Sequence, residues 1–187
     1  MHLFQEMLKL QQKLADLRKE YFFEENLFTG QWWLLVGMNI LLWIVWIILL
    51  DRTRLKSILL VGLFSMAFAL VLDDMGLSMG AWNYPYKIAF FTTRLNPVDM
   101  VILPVAFMLI YQYCRRWIPY TIVTILFALF ASFVAEPLFV KLDLYVLIHW
   151  KYVYSAPIYA AIGIIVKGAV DLADYLETKR RSRERYK

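Results

Sequence analysis

Residues 32–50 of the chain have the sequence WWLLVGMNILLWIVWIILL, nineteen residues without a charge. A helix needs roughly 20 mostly apolar residues to cross the hydrocarbon core of a bilayer, so this stretch predicts a membrane-spanning helix. Asp51 and Arg52 follow immediately and end it. A helix satisfies its own backbone hydrogen bonds in lipid, and no period-two alternation of apolar residues is present. The stretch therefore predicts an all-α membrane protein.

Composition supports further spans of the same kind. Hydrophobic residues make up 61% of the 187-residue chain, or about 114 residues, whereas soluble domains are nearer 45–50% apolar. This excludes an ordinary soluble domain, a disordered chain and a collagen-like chain, and it leaves no room for a separate soluble catalytic domain. With residues 32–50, we expect a polytopic protein of about five transmembrane helices, the others at residues 55–72, 96–114, 117–135 and 155–175.

The first 30 residues predict an amphipathic helix, because their apolar residues are spaced alternately by four and three, as in a heptad seam. Such a helix can self-associate or bind a protein partner through a short coiled coil. It can also lie on the membrane surface or against the protein's own spans. Three heptads are marginal for a free coiled coil, which favours the surface or intramolecular position. The seam consists of Leu3, Met7, Leu10, Leu14, Leu17 and Tyr21.

The expected organisation has three parts. Residues 1–30 form the amphipathic helix, residues 31–176 the transmembrane domain and residues 177–187 a basic tail. From Lys179 onward the tail has six basic residues and one acid, Glu184. It follows a membrane span and lacks interleaved aromatic residues, so we expect anionic lipids rather than nucleic acid as its partner.

Basic residues also predict the orientation of the chain, because short cytoplasmic loops are enriched in Lys and Arg. The loop after the first span, the turn at Arg115 and Arg116, and the tail together carry eleven basic residues, against eight on the opposite side. This places the N-terminus outside the cell and the C-terminus in the cytoplasm.

Residues 138–154 mix apolar, charged and aromatic side chains and predict a re-entrant or interfacial segment.

A carboxylate cluster is predicted at the outer face. Asp73 and Asp74 end the second predicted span, and Glu136 ends the fourth. Carboxylates at a helix C-terminus oppose the helix dipole, so a proton, a cation or a basic partner must compensate. Structural ion pairing and a functional polar site both remain open. The available partners are Lys87, Arg94, Lys141, Lys151 and His149.

Asp99 belongs to the same outer end. Asn96, Pro97 and Asp99 fit an N-cap, a proline at the first helical position and an acid that favours the helix dipole, so capping is its simplest role. Pro104 lies inside the third predicted span and removes a backbone hydrogen bond, so we expect a kink there.

One charged pair is predicted inside the membrane. Lys167 and Asp171 are spaced i, i+4 on the fifth predicted span and can form an ion pair, either structural or part of a relay or gate.

The sequence shows no phosphate-binding loop, nucleophile elbow or zinc-protease helix, and no metal-ligand spacing. It therefore predicts no catalytic residue, no metal and no cofactor.

An ordered set of short landmarks spans roughly residues 30–160. It comprises Trp32-Trp33, Asp51-Arg52, Gly62, Asp73 with Gly76, Gly80-Ala81-Trp82-Asn83-Tyr84-Pro85, Asp99, Leu103-Pro104, Tyr111-Gln112-Tyr113, Glu136-Pro137-Leu138 and Trp150-Lys151. This set resembles an uncharacterised family of small multi-pass membrane proteins of Gram-positive spore-formers, the bacilli and clostridia. The resemblance implies a bacterial membrane location and a link to spore-forming bacteria, and it carries over no activity.

The chain is also faintly similar to the lycopene-cyclase-type membrane domain. The matching residues are Asp73, Trp82, Tyr84, and Pro97 with Asp99. The paired acids that usually follow the proline in that domain are reduced here to Asp99 alone, which argues against acid-catalysed cyclisation.

Three functions follow as hypotheses. The first is a non-enzymatic structural or accessory component of the bacterial membrane, favoured by small size, the heptad seam and the missing catalytic motifs. The second is a small cation- or proton-linked transporter that uses the outer-face carboxylates, although no inverted repeat is evident. The third is a lipid- or polyene-acting enzyme, supported only by the faint similarity.

Overall fold

The computed structural model describes residues 1–95 and 97–185 of the chain. Short irregular turns interrupt its helices: three π-helical turns, at Phe22–Asn26, Val98–Ile102 and Ala131–Ala135, and a 3-10 turn at Arg52–Arg54. A two-residue antiparallel ribbon pairs β1 (Trp82–Asn83) with β2 (Val146–Leu147). The α-helices are α1 (His2–Tyr21), α2 (Gly30–Leu49), α3 (Leu55–Ser78), α4 (Leu103–Tyr113), α5 (Trp117–Phe130), α6 (Glu136–Lys141) and α7 (Tyr152–Arg185).

The predicted all-α membrane class is confirmed. Within the described residues, four helices are long and apolar enough to cross a membrane, and they cover Gly30–Leu49, Arg52–Ser78, Trp117–Lys141 and Tyr152–Ser182. The chain is therefore a multi-pass membrane protein. The remaining predicted span is a shorter apolar helix, Val98–Tyr113. At a rise of about 1.5 Å per residue it is about 24 Å long, less than the roughly 30 Å of a hydrocarbon core.

The bundle is built around α3 and α7. Helix α3 packs against α4 and α7, and α7 also packs along α5. Phe107, Tyr120 and Val166 are fully buried where α4, α5 and α7 meet. Gly163 allows this approach, because a β-carbon at its position would lie 2.6 Å from the Thr124 methyl group and 2.7 Å from the Phe107 ring. The close packing fixes the ends of these helices relative to one another.

Two predicted helix ends are wrong. Helix α3 does not stop at Asp73 and Asp74 but continues to Ser78, and the helix containing α5 continues through Glu136 to Lys141. Asp73 and Glu136 are 5% and 7% exposed, and both receive hydrogen bonds, so their polarity does not require the helix to end. The helix dipole acts within the last turn, so it does not explain the position of either acid.

The two ends of the bundle are chemically different. We call the end that carries the β1–β2 ribbon the ribbon end. Helix α3 ends there, as does α5 with its continuation α6, and α4 and α7 begin there. We call the opposite end, at residues 114–116, the turn end. Residues 138–154, predicted to be re-entrant or interfacial, form the last part of α6, a turn, β2 and the start of α7. They cover the ribbon end of the bundle.

The predicted amphipathic helix is present as α1, and none of its residues is buried. The first half of its seam does not pack on the protein's own spans, because Leu3, Met7 and Leu10 are 74%, 61% and 61% exposed. Leu14 and Tyr21, in the second half, line a groove beside the end of α3. The basic tail does not begin a new structural unit at residue 177, since α7 runs without interruption to Arg185. Residues 186–187 of that predicted tail lie outside the described residues.

Candidate functional site

A cavity of about 210 Å³ lies inside the ribbon end of the bundle. Its wall is mostly apolar and aromatic, with three carboxyl groups among the lining side chains: Asp73, Asp99 and Glu136. They come from α3, from the π-helical turn before α4, and from the first residue of α6. All three are buried, Asp99 with 4% exposure. The cavity therefore unites acids that are far apart in sequence.

Asp73 is held by two donors from the loop after α3. Trp82 Nε1 donates to Asp73 Oδ1 over 2.9 Å, and the Tyr84 hydroxyl donates to the same oxygen over 2.6 Å. Gly76, one turn after Asp73 on α3, makes room for the indole, because a β-carbon there would lie 2.0 Å from the Trp82 ring. The loop thus folds back onto α3 and closes one side of the cavity.

The carboxyl groups of Asp73 and Asp99 lie within reach of each other. Apart from this contact, the Oδ2 atom of each residue is buried without a hydrogen-bond partner. A hydrogen bond between two carboxyl groups requires a proton on one of them, because a carboxylate only accepts. The pair therefore provides a place for one proton, or for one cation that takes its place.

Glu136 has a separate set of partners. Tyr159 donates its hydroxyl to Glu136 Oε1 over 2.8 Å, and Ser155 donates to Oε2 over 3.1 Å. Ser155 in turn accepts a 3.0 Å hydrogen bond from Trp150 Nε1. Because Ser155 and Tyr159 are four residues apart on α7, they present both donors on one helix face. Both oxygens of Glu136 are therefore satisfied, in contrast to Oδ2 of Asp73 and Oδ2 of Asp99.

Aromatic rings form the outer wall of the cavity. The Trp82 and Trp150 rings meet edge to face with centroids 4.9 Å apart, and the Tyr84 and Tyr145 rings stack at 5.4 Å. The ribbon brings these rings together, because Trp82 pairs with Leu147 across it. Burial, and then the neighbouring Asp73 carboxylate, raise the pKa of Tyr84 well above its usual value. Tyr84 consequently stays protonated and remains a donor to Asp73.

Asp74 does not join the other three acids of the predicted cluster. Its side chain is 59% exposed, and Arg94 Nη2 binds its Oδ1 atom at 2.9 Å. The predicted pairing with Arg94 is thus confirmed for Asp74. Within the described residues, the other predicted partners form no ion pair with the cluster acids; these are Lys87, Lys141, Lys151 and His149. The pKa of Lys87 is lowered by burial and by the charge of Arg18.

The π-helical turns place two of the three acids. One contains Asp99 and ends just before Pro104, and the other comes directly before Glu136 and Pro137. A proline cannot donate to the carbonyl one turn back, and a π-helical turn rearranges the hydrogen bonds where that donor is missing. In place of the kink expected at Pro104, the helix has the π-helical turn Val98–Ile102. The proposed N-cap Asn96 lies outside the described residues, and Pro97, at the start of the helix, has no side-chain cap.

Sequence reasoning missed the donors that hold the acids. Trp82 and Tyr84 appeared only within the resemblances, and Ser155 and Tyr159 were not singled out. The i, i+4 spacing of a serine and a tyrosine at the start of a span was a usable signal. Within residues 1–95 and 97–185, no three Asp, Glu, His or Cys side chains are grouped so as to hold a metal ion.

The predicted pair of Lys167 and Asp171 is present near the turn end, with Nζ 3.1 Å from Asp171 Oδ2. Lys167 is 2% exposed, and its Nζ also donates to the Arg115 carbonyl over 3.3 Å. Its ammonium group lies over the rings of Tyr111, Trp117 and Tyr120 at 4.8, 5.1 and 5.0 Å. The charge is thus neutralised and enclosed within the protein, so this pair ties α7 to the turn between α4 and α5.

Comparisons with known protein families, curated proteins and solved structures found no match to this chain.

Proposed function

We propose that the protein is a small cation- or proton-linked carrier whose binding site is the cavity at the ribbon end. The observation that carries this proposal is the convergence of Asp73, Asp99 and Glu136, from three different helical segments, on one cavity. Among the described residues, no Lys, Arg or His side chain lines that cavity. The cavity wall thus has carboxyl groups that can bind a cation, but among the described residues it has no basic side chain to neutralise them.

The physical basis is the cost of burying charge. An ionised carboxylate away from water is strongly disfavoured unless a proton, a cation or a donor compensates it. Glu136 has two donors, whereas the aspartate pair leaves one oxygen on each residue without a donor apart from the mutual contact. A bound proton or a bound cation meets this need, and exchange between the two is the elementary step of a proton-linked carrier.

The proposed orientation has the N-terminus outside and the C-terminus in the cytoplasm. Its support is the excess of basic residues at the turn end and on the tail, which favours the cytoplasmic side. In this orientation the ribbon end and its cavity face the outside of the cell. The exposed basic side chains of α7, among them Arg180 and Arg181, would bind anionic lipid at the cytoplasmic surface.

The test is a flux measurement in proteoliposomes that contain a pH-sensitive dye. Gradients of sodium, potassium, tetramethylammonium and guanidinium are imposed in turn; guanidinium keeps its charge and carries N–H donors. At least one gradient is expected to drive protons in the opposite direction with the unmodified protein, and Asp73→Asn is expected to abolish this flux. Asp143→Asn is the matched control, because Asp143 is an exposed turn residue outside the cavity wall. Proton movement no faster than in protein-free vesicles for every cation would refute the carrier.

A second candidate function is action on a polyene or lipid. The residues that carry the faint lycopene-cyclase similarity do come together, since Trp82 and Tyr84 donate to Asp73 and Asp99 contacts it. Ligand pockets for drug-sized molecules are roughly 300–1,000 Å³, so the cavity would take only the end of a long polyene. Incubation of the purified protein with a lycopene-like polyene tests this function, and absence of cyclised product would exclude it.

A non-enzymatic accessory role, with membership in the spore-former family, stays a prediction. The exposed first half of the α1 seam favours it, because Leu3, Met7 and Leu10 offer apolar side chains to a partner. Under this role, replacing Asp73, Asp99 and Glu136 by their amides would leave partner binding intact. Loss of ion flux in the same variants would instead support the carrier.

A further inference from the structure

We infer, on the premise of the proposed function, that the cavity binds an organic ammonium ion with a small apolar body. Its N–H groups bind the carboxyl groups of Asp73 and Asp99, turned toward the cavity, in place of the proton that the two groups share. Glu136 is not part of this subsite, because its oxygens already accept hydrogen bonds from Ser155 and Tyr159.

The Oδ2 atoms of the two residues are acceptors without a donor of their own. Asp73 and Asp99 are 5% and 4% exposed, and both line the cavity. Trp82 and Tyr84 both donate to Oδ1 of Asp73, whereas its Oδ2 is buried and accepts from no donor. An ammonium group supplies several N–H donors and one positive charge, so it can bind both oxygens at once.

The rest of the wall selects an organic cation. Leu72, Leu103 and Ile162 give the cavity an apolar side suited to hydrocarbon, while Trp82 and Tyr145 lie among its aromatic residues. Aromatic faces attract cations whose charge is close to the ring, and desolvation strengthens this attraction. A hydrated inorganic ion would gain nothing from the apolar side. The volume of about 210 Å³ restricts the apolar body to a small group.

The charges around the pair permit an exchange. The charge of Arg94 acts on both Asp73 and Asp99, but its Nη2 is bound to Asp74 Oδ1, so one guanidinium is divided among three aspartates. When one ammonium ion enters and one proton leaves, the net charge of the pair is unchanged. The titratable groups that face the pair from neighbouring elements are Tyr84, Arg94, Glu136, Tyr145 and Tyr159.

The probe is phenethylamine, and phenethyl alcohol is its neutral counterpart. Binding to the full chain in detergent is measured by titration calorimetry at several pH values, and proton release is followed with an indicator dye in weakly buffered solution. We expect phenethylamine to bind, the alcohol not to compete, and up to one proton to be released for each amine bound. Affinity should fall by up to about tenfold per unit decrease in pH, because the proton competes for the same oxygens.

Two variants locate the effect. Asp99→Asn is expected to abolish proton release and weaken binding, whereas Asp143→Asn should leave both unchanged. If Asp99→Asn does not fold, the pH dependence of the unmodified protein still decides. Amine binding without proton release, equal binding of the alcohol, or displacement of the amine by sodium or calcium would overturn the inference. Ion-driven proton flux with no amine binding would overturn the inference and leave the proposed carrier function intact. Amine binding with proton release but no flux would support the amine site and refute the carrier.

Discussion

The Tyr84 hydroxyl donates a 2.6 Å hydrogen bond to Asp73 Oδ1, and it does so from a loop rather than from a neighbouring helix. Tyr84 is 9% exposed and stacks on Tyr145, which follows α6. These two contacts, the hydrogen bond and the ring stack, therefore join α3, the loop after β1 and the segment before β2 through Tyr84. The cavity depends on this loop as much as on the helices.

Replacing Tyr84 by phenylalanine should destabilise the ribbon end. The variant keeps the ring but removes one of the two donors to Asp73 Oδ1, and loss of one partner of a buried acceptor costs about 1–3 kcal/mol. Thermal unfolding in detergent, followed by tryptophan fluorescence, measures the effect. Tyr113→Phe is the matched control, because the Tyr113 side chain is 65% exposed, and its unfolding temperature should not change. Equal unfolding temperatures for the Tyr84 variant and the unmodified protein would argue against this contact.

Substitution of Gly76 by alanine should displace the Trp82 indole. The added β-carbon would lie 2.0 Å from two atoms of that ring, so the ring must move and lose its hydrogen bond to Asp73. Overpacking of this kind costs about 1–3 kcal/mol. The expected signs are a shifted tryptophan emission spectrum and weaker binding of phenethylamine. Gly37→Ala serves as the control, because nothing lies within 4 Å of a β-carbon at that position.

Lys167 and Asp171 should show strong energetic coupling. Lys167→Met leaves Asp171 without its cation, and breaking a buried pair typically costs about 3–5 kcal/mol; the value should be lower here because the Asp171 side chain is 33% exposed. A double-mutant cycle with Asp171→Asn measures the coupling in unfolding experiments. The same cycle on Arg180 and Glu184, whose side chains are 79% and 60% exposed, should give at most about 1 kcal/mol. Equal coupling in the two cycles would contradict the structural role of Lys167.

The orientation is tested by labelling an introduced cysteine. Ser78 is exposed at the end of α3, on the ribbon end. In a Cys114→Ser background, Ser78→Cys should react with a membrane-impermeant maleimide on intact cells. Labelling only after the membrane is permeabilised would show that the ribbon end faces the cytoplasm.

Much of the architecture could be predicted from hydropathy, because long uncharged stretches such as residues 32–50 have few alternatives in lipid. The true ends of the helices that contain Asp73 and Glu136 could not be predicted, since a charged residue ends a span only when it reaches water. Both acids are instead covered by residues distant in sequence, Tyr84 and Tyr159 among them. The i, i+4 spacing of Lys167 and Asp171 was sufficient to predict their pairing, because both lie on one helix.

The division of the acidic cluster was equally inaccessible from the sequence. Asp73 and Asp74 are neighbours in the chain, but successive residues on a helix point about 100° apart, so one enters the cavity and the other reaches Arg94. Which of the two turns inward depends on how α3 packs against α4 and α7. The contact of Asp73 with Asp99 likewise depends on the π-helical turn before α4. Pro104 predicted an irregularity in that span, but not that it would bring Asp99 to Asp73.

The central claim is that Asp73 and Asp99 hold one exchangeable proton inside a cation-binding cavity. Reaction with a hydrophobic carbodiimide, which modifies protonated carboxyl groups, followed by peptide mass spectrometry, tests it most directly. The modification should fall on Asp73 or Asp99 and not on Asp74. Phenethylamine should lower the total modification of the pair, counted as carbodiimide adduct and phenethylamide together, while phenethyl alcohol should not. Modification of Asp74 alone, or modification of the pair that the amine leaves unchanged, would contradict the claim.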